Sequence, residues 1–273
     1  MSHIYDALRK SDGEEPPRRG TSQGEAEDAA RSDDSTRAED PADAAAGPAV
    51  TPQQRIEGSL FDSVDLEFLE ELDTLRSSID VTLGRTAHRV IGFIGSAPDE
   101  GTSTVASHYA YLLARVVAKQ VLLIDADTAR TNLGLSEPFG DREGFAELVE
   151  EEQPLAQVVL ETEEPKLHFL PAGRDRVHHV EAVGSGRLRP IFERCAEAYQ
   201  AVVVDIAPAL MIPEAPLIAA ACDGVVVVVR AHQTRREIVR RAMTELNFAK
   251  CRVLGTVLNA RRETLPRFLR ERV

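Results

Sequence analysis

The segment Ser96 to Thr104 joins small, hydroxylated and glycine residues between the apolar run Val90 to Gly95 and a helical pattern that continues to about Ala118. A strand, a short loop and a helix N-terminus in that order gather backbone N–H groups at one point, which is how a phosphate is held. Ser96, Pro98, Glu100, Gly101, Thr102, Ser103 and Thr104 are the candidate cofactor-binding residues of this loop. In working phosphate loops the residue after the second glycine is Lys, which reaches the β and γ phosphates, and the next hydroxyl ligates Mg²⁺. Here the lysine position holds Thr102, the hydroxyl is kept as Ser103, and the loop contains no lysine.

Two more apolar runs end in carboxylates, at Asp125 and Asp127 and at Asp205. A carboxylate at the C-terminal end of a buried parallel strand faces the ligand crevice, where it can hold Mg²⁺ or orient a nucleophile. Each taken singly is equally a helix N-cap or turn former. Together with the loop they make a nucleotide-type crevice, with Asp125, Asp127 and Asp205 as candidate catalytic groups and Ser103, Asp127 and Asp205 as candidate Mg²⁺ ligands. His178 and His179 have no third ligand at metal spacing, and Cys195, Cys222 and Cys251 form no CxxC pair, so they read as buried thiols.

These residues need a sheet to converge. Near-continuous Val/Ile/Leu runs at Val90 to Gly95, Val121 to Asp125, Leu167 to Leu170, Ala201 to Asp205, Gly224 to Arg230 and Val253 to Asn259 alternate with helical stretches. That pattern predicts a doubly wound α/β fold with a mainly parallel sheet flanked by helices. Leu66, Leu69, Leu72, Leu75 and Ile79 recur at three and four residues, predicting an amphipathic helix within Ser63 to Leu83. Ahead of it the chain divides into a short docking helix over 1–10, carried by Ile4, Tyr5, Ala7 and Leu8, and a disordered acidic linker over 11–55. The core spans 56–260 and a basic tail spans 261–273.

The formal charge of −13 argues against general nucleic-acid binding. Eleven Asp/Glu against four Arg between Ser11 and Val50 place much of it in the linker. With no apolar run of membrane-spanning length and no secretory signal, a cytoplasmic location is expected.

Several segments resemble the cytoplasmic kinase domain of the bacterial tyrosine kinases of capsule and exopolysaccharide synthesis, within the partition-type P-loop NTPases. Pro98 to Ser103 match that family's Pro-x-Glu-Gly-Lys-Ser loop with Thr102 for Lys. Asp125 to Ala129 match Asp-x-Asp-x-Arg with Ala129 for Arg, and Arg130 one place on. Val202 to Pro208 match the third element in full. Cys222 to Ala231 and Leu254 to Asn259 resemble the last strands, with Arg230 implied as a further cofactor contact. Ser2 to Leu8 resemble the start of kinases in exosortase-linked operons.

The resemblance implies ATP or ADP with Mg²⁺ as ligands, weakened by Thr102. It also implies the cytoplasmic tail of a membrane polysaccharide co-polymerase as partner, with a position peripheral to the inner membrane. A Glu-x-x-Arg-x-x-Arg element associated with ring assembly reads Glu70, Asp73, Arg76, so the homo-oligomeric state is open. No tyrosine follows Asn259, whereas the family's acceptors lie there, and Tyr109, Tyr111 and Tyr199 fall in expected core helices. His108 reads as a packing or polar-network residue. The leading expectation is a degenerate kinase-like protein with weak or no transfer activity. The alternatives are an active tyrosine kinase or ATPase using a non-standard cation such as Arg130, and a partition-type spatial regulator.

Overall fold

Alternation along the central strands assigns side chains to two separate cores, one on each face of a single sheet. In the computed structural model, which describes residues 52, 54–55, 66–84, 89–127, 142–150, 153–174 and 186–260, the strands are β1 (Gln54–Arg55), β2 (Val90–Gly95), β3 (Val121–Ala126), β4 (Leu160–Glu161), β5 (Leu167–Leu170), β6 (Ala201–Ile206), β7 (Gly224–Arg230) and β8 (Val253–Asn259). Their order is β1-β4-β5-β3-β6-β2-β7-β8, parallel throughout except for β4 against β5. Strands β2, β3, β5, β6, β7 and β8 all run in one direction, as the apolar runs predict.

Val90, Ile94, Leu122, Ile124, Val202, Val204, Val225 and Val227 point to one face. There they meet α3 (Phe145–Glu150), α5 (Leu188–Ala198), α6 (Ala215–Ala221) and α7 (Arg236–Phe248). Ile91, Phe93, Val121, Leu123, Val203, Val226 and Val228 point to the other, against α1 (Leu66–Leu83) and α2 (Thr102–Arg115). Among the described residues, only α4 (Leu155–Val158) is a single turn. Burying a side chain such as Phe93, which is fully enclosed, stabilises by about 1.5–3 kcal/mol.

The amphipathic helix appears as α1, with Leu72 and Ile79 buried and Phe68, Leu69, Leu75 and Leu83 packed beside them. Its polar side is tied down by Arg76, which bonds Asp73 at 2.7 Å and Asp80 at 2.9 Å. Arg89, just before β2, bonds Asp80 and the Gly84 carbonyl. The charge at position 73 thus pairs within its own helix.

Helix α2 ends at Arg115, three residues short of the expected Ala118. Ala118 takes a positive φ of 60° and Lys119 N–H bonds the Leu113 carbonyl, a tight closing turn that satisfies the last helical carbonyls. Tyr109 is buried on α2 against Phe93, with ring centroids 5.2 Å apart, and Tyr111 is half-buried on the same helix. Tyr199 falls just past α5 rather than inside it, and its hydroxyl lies 2.8 Å from His168 Nδ1.

Residues 54–55, the last of the stretch read as linker, form the short edge strand β1. The docking helix over 1–10, the remainder of the linker to residue 51, Arg130, His178, His179 and the tail over 261–273 lie outside the described residues. Among the described residues no helix is long and apolar enough to cross a membrane. Cys195 and Cys222 are buried and Cys251 half-buried, all as free thiols. Burial pushes the Cys195 thiol up to about 12.

Candidate nucleotide site

Strand β2 lies between β6 and β7, so its C-terminal end opens between the ends of these two neighbours, where an open parallel sheet places its ligand crevice. The chain leaves β2 at Gly95 and turns through Ser96 to Gly101 into α2. A Cβ on Gly95 would stand 2.8 Å from Thr102 Oγ1 and 3.1 Å from Glu100 Oε2, so only glycine lets the loop fold back this closely. Gly101 has φ +80°, and a Cβ there would meet Asn259 Nδ2 at 2.2 Å.

No side chain caps α2 at Gly101, and the first intrahelical bond is Val105 N–H to the Gly101 carbonyl. The helix therefore presents its first-turn amides, at Thr102, Ser103 and Thr104, at the mouth of the loop, the arrangement that attracts an anion.

The loop is shaped by its own residues. Ser96 N–H and Oγ–H and Ala97 N–H all donate to the Glu100 carboxylate, the last two at 2.8 and 2.9 Å. Ser96 and Glu100 are buried while Pro98 and Thr104 are exposed. From outside the loop, Arg230 Nη1 donates to the Asp99 carbonyl at 2.9 Å and Asn259 Nδ2 to the Glu100 carbonyl at 2.9 Å. Of the residues expected to line the loop, Glu100 and Ser96 turn inward and bond each other, and Arg230 reaches the loop backbone. Thr102 occupies the first position of α2 with its hydroxyl toward Gly95.

The carboxylates arrive as the strand ends predict. Asp125 on β3 pairs in register with Asp205 on β6. Asp127 N–H donates to Asp125 Oδ1 at 3.0 Å. All three acids are buried. Burial raises the Asp205 carboxyl above the usual range, the Ser103 hydroxyl bonded to it pulls it back, and the nearby Asp127 charge adds to the rise. Asp205 Oδ2 is buried without a hydrogen-bond partner. An orphaned carboxylate oxygen beside a serine hydroxyl and a second acid is a donor set that fits Mg²⁺, which takes one or two carboxylates and fills its remaining positions with water and phosphate. Among the described residues no cluster of three or more His, Cys, Asp or Glu could hold a metal by itself. Such a site is completed by a ligand.

His108 lies nearly two turns into α2, its Nδ1 2.8 Å from the Thr104 carbonyl and its ring edge-on to Phe68. That is the packing and polar-network role expected of it. Sequence reasoning passed over Thr234 and Asn259 as site residues. Thr234 bonds the Glu100 carboxylate from the turn between β7 and α7, and Asn259 is the last residue of β8. The available signal was a polar residue at or just beyond the C-terminal end of an apolar run, the same signal that marked the acids.

No family model matches the chain. It is 30% identical to the succinoglycan biosynthesis transport protein ExoP of Rhizobium meliloti (strain 1021) over 76% of its own length and 27% of that protein. It is 26% identical to the tyrosine-protein kinase CpsD of Streptococcus agalactiae over 65% of its length and 78% of that kinase. The chain thus spans about a quarter of the first relative. Among solved structures, the kinase domain of the Escherichia coli tyrosine kinase ETK superposes with a TM-score of 0.65 at 21% identity, covering 81% of this chain and 94% of that one. The BceF tyrosine kinase domain superposes at 0.61 with 29% identity, covering 70% and 76%. The septum site-determining protein MinD of Pyrococcus horikoshii OT3, complexed with Mg-ADP, shares the fold at 0.53 and 19% identity, covering 66% and 75%.

Proposed function

We propose that this chain, a homologue of bacterial tyrosine-protein kinases on a P-loop NTPase fold, is a degenerate kinase-like protein of exopolysaccharide or capsule assembly. It binds a magnesium nucleotide weakly, transfers phosphoryl groups poorly or not at all, and acts through a partner. The observation that carries this reading is Thr102 at the first position of α2. The loop, the helix N-terminus and the acids are all formed around it, but the cation a phosphate loop fixes there is replaced by a hydroxyl.

Losing a charge-assisted contact to phosphate costs roughly 1.5–3 kcal/mol, about tenfold to a hundredfold in affinity. Binding through amides and metal survives such a loss. Transfer suffers more, because its catalysis consists mostly of positioning and of stabilising charge on the moving phosphoryl group. Ser103 and Asp205, with Asp127 beside them, would hold Mg²⁺, which neutralises phosphate charge when bound. Arg230, already at the loop, is the described cation nearest to the Asp99 backbone and stands as a weak substitute.

The Rhizobium relative, named for succinoglycan biosynthesis and transport, supports the polysaccharide setting. A relative named for polysaccharide transport also supports a partner for this chain of the co-polymerase kind, met at the inner face of the membrane.

The test is calorimetric titration with ATP and ADP in Mg²⁺, with Asp125→Ala as control, beside a radiolabelled ATP transfer assay. Weak binding lost in the control, without transfer, supports the reading. Robust autophosphorylation abolished by Asp125→Ala would overturn it.

A further inference from the structure

We infer that Glu100 is a positioning residue whose buried carboxylate, joined by Thr234, locks the phosphate loop to the corner between β7 and α7 so that the two segments hold their shape together. This deepens the nucleotide-site reading above and rests on it only for the affinity measurement below.

A carboxylate one residue ahead of a helix N-terminus would ordinarily be spent on that helix's free amides, where the partial positive charge favours it. Glu100 does otherwise. The residue is 2% exposed, and its carboxylate turns back on the start of the loop, accepting from Ser96 N–H, Ser96 Oγ–H and Ala97 N–H. A fourth donor, the Thr234 hydroxyl, comes from 134 residues further along the chain. Burying a charge is costly unless it is fully hydrogen-bonded, so this arrangement holds only while all the segments supplying donors stay in place.

The rest of the corner is fastened to the same spot. Thr234 N–H bonds the Arg230 carbonyl and Ala231 N–H the Asn259 carbonyl. Arg230 and Asn259 then bond the carbonyls of Asp99 and Glu100. Asp99 and His232 carry positive φ values of 63° and 61°, one on each side of the contact. Two tight turns are therefore held against each other, and the Glu100 to Thr234 bond is the link between their side chains. The consequence for the site is that α2's first-turn amides are left uncapped by Glu100 and stay aimed at the crevice. Any displacement of α7 at its N-terminal end is carried through Thr234 to the loop.

The experiment is residue-resolved hydrogen exchange on the full chain without nucleotide, comparing wild type with Glu100→Ala, Glu100→Gln and Thr234→Val. In Glu100→Ala the Ser96 and Ala97 amides should exchange about tenfold to a hundredfold faster, the weight of a charge-assisted bond. The near-isosteric Thr234→Val should speed the same two amides to a smaller degree although it touches neither. Glu100→Gln, which keeps one acceptor oxygen, should fall between wild type and Glu100→Ala. Amides of Leu122 to Ile124 in β3 should keep their protection, since local opening leaves the core closed.

Unchanged exchange at Ser96 and Ala97 in Thr234→Val would overturn the coupling. Loosening of β3 to the same degree in Thr234→Val and Glu100→Gln would also overturn it, by reducing Glu100 to a general stabiliser. If Glu100→Ala fails to fold, those two variants decide. A second measurement titrates Thr234→Val with MgATP, where a loss of several-fold in affinity is expected. Wild type that binds no nucleotide would end the nucleotide-site reading while leaving the exchange result to stand for Glu100 and Thr234.

Discussion

Asp125 and Asp205 stand opposite each other in register at the carboxyl ends of the adjacent parallel strands β3 and β6. They are not equivalent. Asp125 accepts the Asp127 amide, whereas Asp205, beside the Ser103 hydroxyl and the Asp127 charge, keeps its Oδ2 without a hydrogen-bond partner.

That asymmetry predicts a pH dependence. Burial, then the Asp127 charge, raise Asp205 above its unfolded value, so the folded state binds more protons than the unfolded one over the interval between the two. Stability should therefore fall as pH rises through that interval, in metal-free buffer. Asp205→Asn should remove the fall and melt higher than wild type at the alkaline end, because its amide carries no charge to bury. Thermal melts with a chelator from pH 4 to 9 check it. A wild-type curve parallel to that of Asp205→Asn would contradict the burial argument.

Restoring the missing cation should restore phosphate affinity. Thr102→Lys is expected to tighten MgATP binding by about tenfold to a hundredfold, read by calorimetry against wild type. Equal affinities would mean that the loop no longer receives a phosphate at all.

The amount of this that is legible in the sequence follows from where each signal resides. The central strands β2, β3, β6 and β7 can be read because parallel strands covered on both faces must be apolar at nearly every position, as Val202, Val203 and Val204 are, while β5 and β8 show as shorter or mixed runs. The acids can be read because they interrupt such runs at their ends. The two-residue strands Gln54–Arg55 and Leu160–Glu161 and the short helices α3 and α4 cannot, since so few residues carry no period. Nor can the inward turn of Glu100, which depends on Thr234 arriving from far along the chain.

Gly101 admits a sharp test. Its φ of +80° is strained for any residue with a Cβ, and the Asn259 amide leaves no room for one. Gly101→Ala should open the loop, release Asn259 from the Glu100 carbonyl and abolish nucleotide binding, at a stability cost of about 1–3 kcal/mol. Titration beside a denaturant melt measures both, and retained affinity would show that the loop tolerates another shape.

Tyr109 and Tyr199 are 2% and 3% exposed. Burial raises the phenols of both, which further discourages their use as nucleophiles. Neither should carry phosphate after incubation with MgATP, as mass spectrometry of the digested protein would show. Phosphate on either would require the core to open.

The clamp on the phosphate loop also sets a timetable for the chain as it is made. Val90 meets Asp223, Glu100 meets Thr234 and Glu100 meets Asn259 across 133, 134 and 159 residues of sequence. An emerging chain that has already released β2 must leave it without its central neighbours, and the loop without its fastenings, until nearly the whole core has left the ribosome. Contacts of such long range slow folding and lengthen the exposure of unpaired strand edges. A chain truncated before β8 would keep β6 and β7 beside β2 and the Thr234 bond to the loop, but would lose the Asn259 fastening and leave the β7 edge unpaired and prone to aggregate.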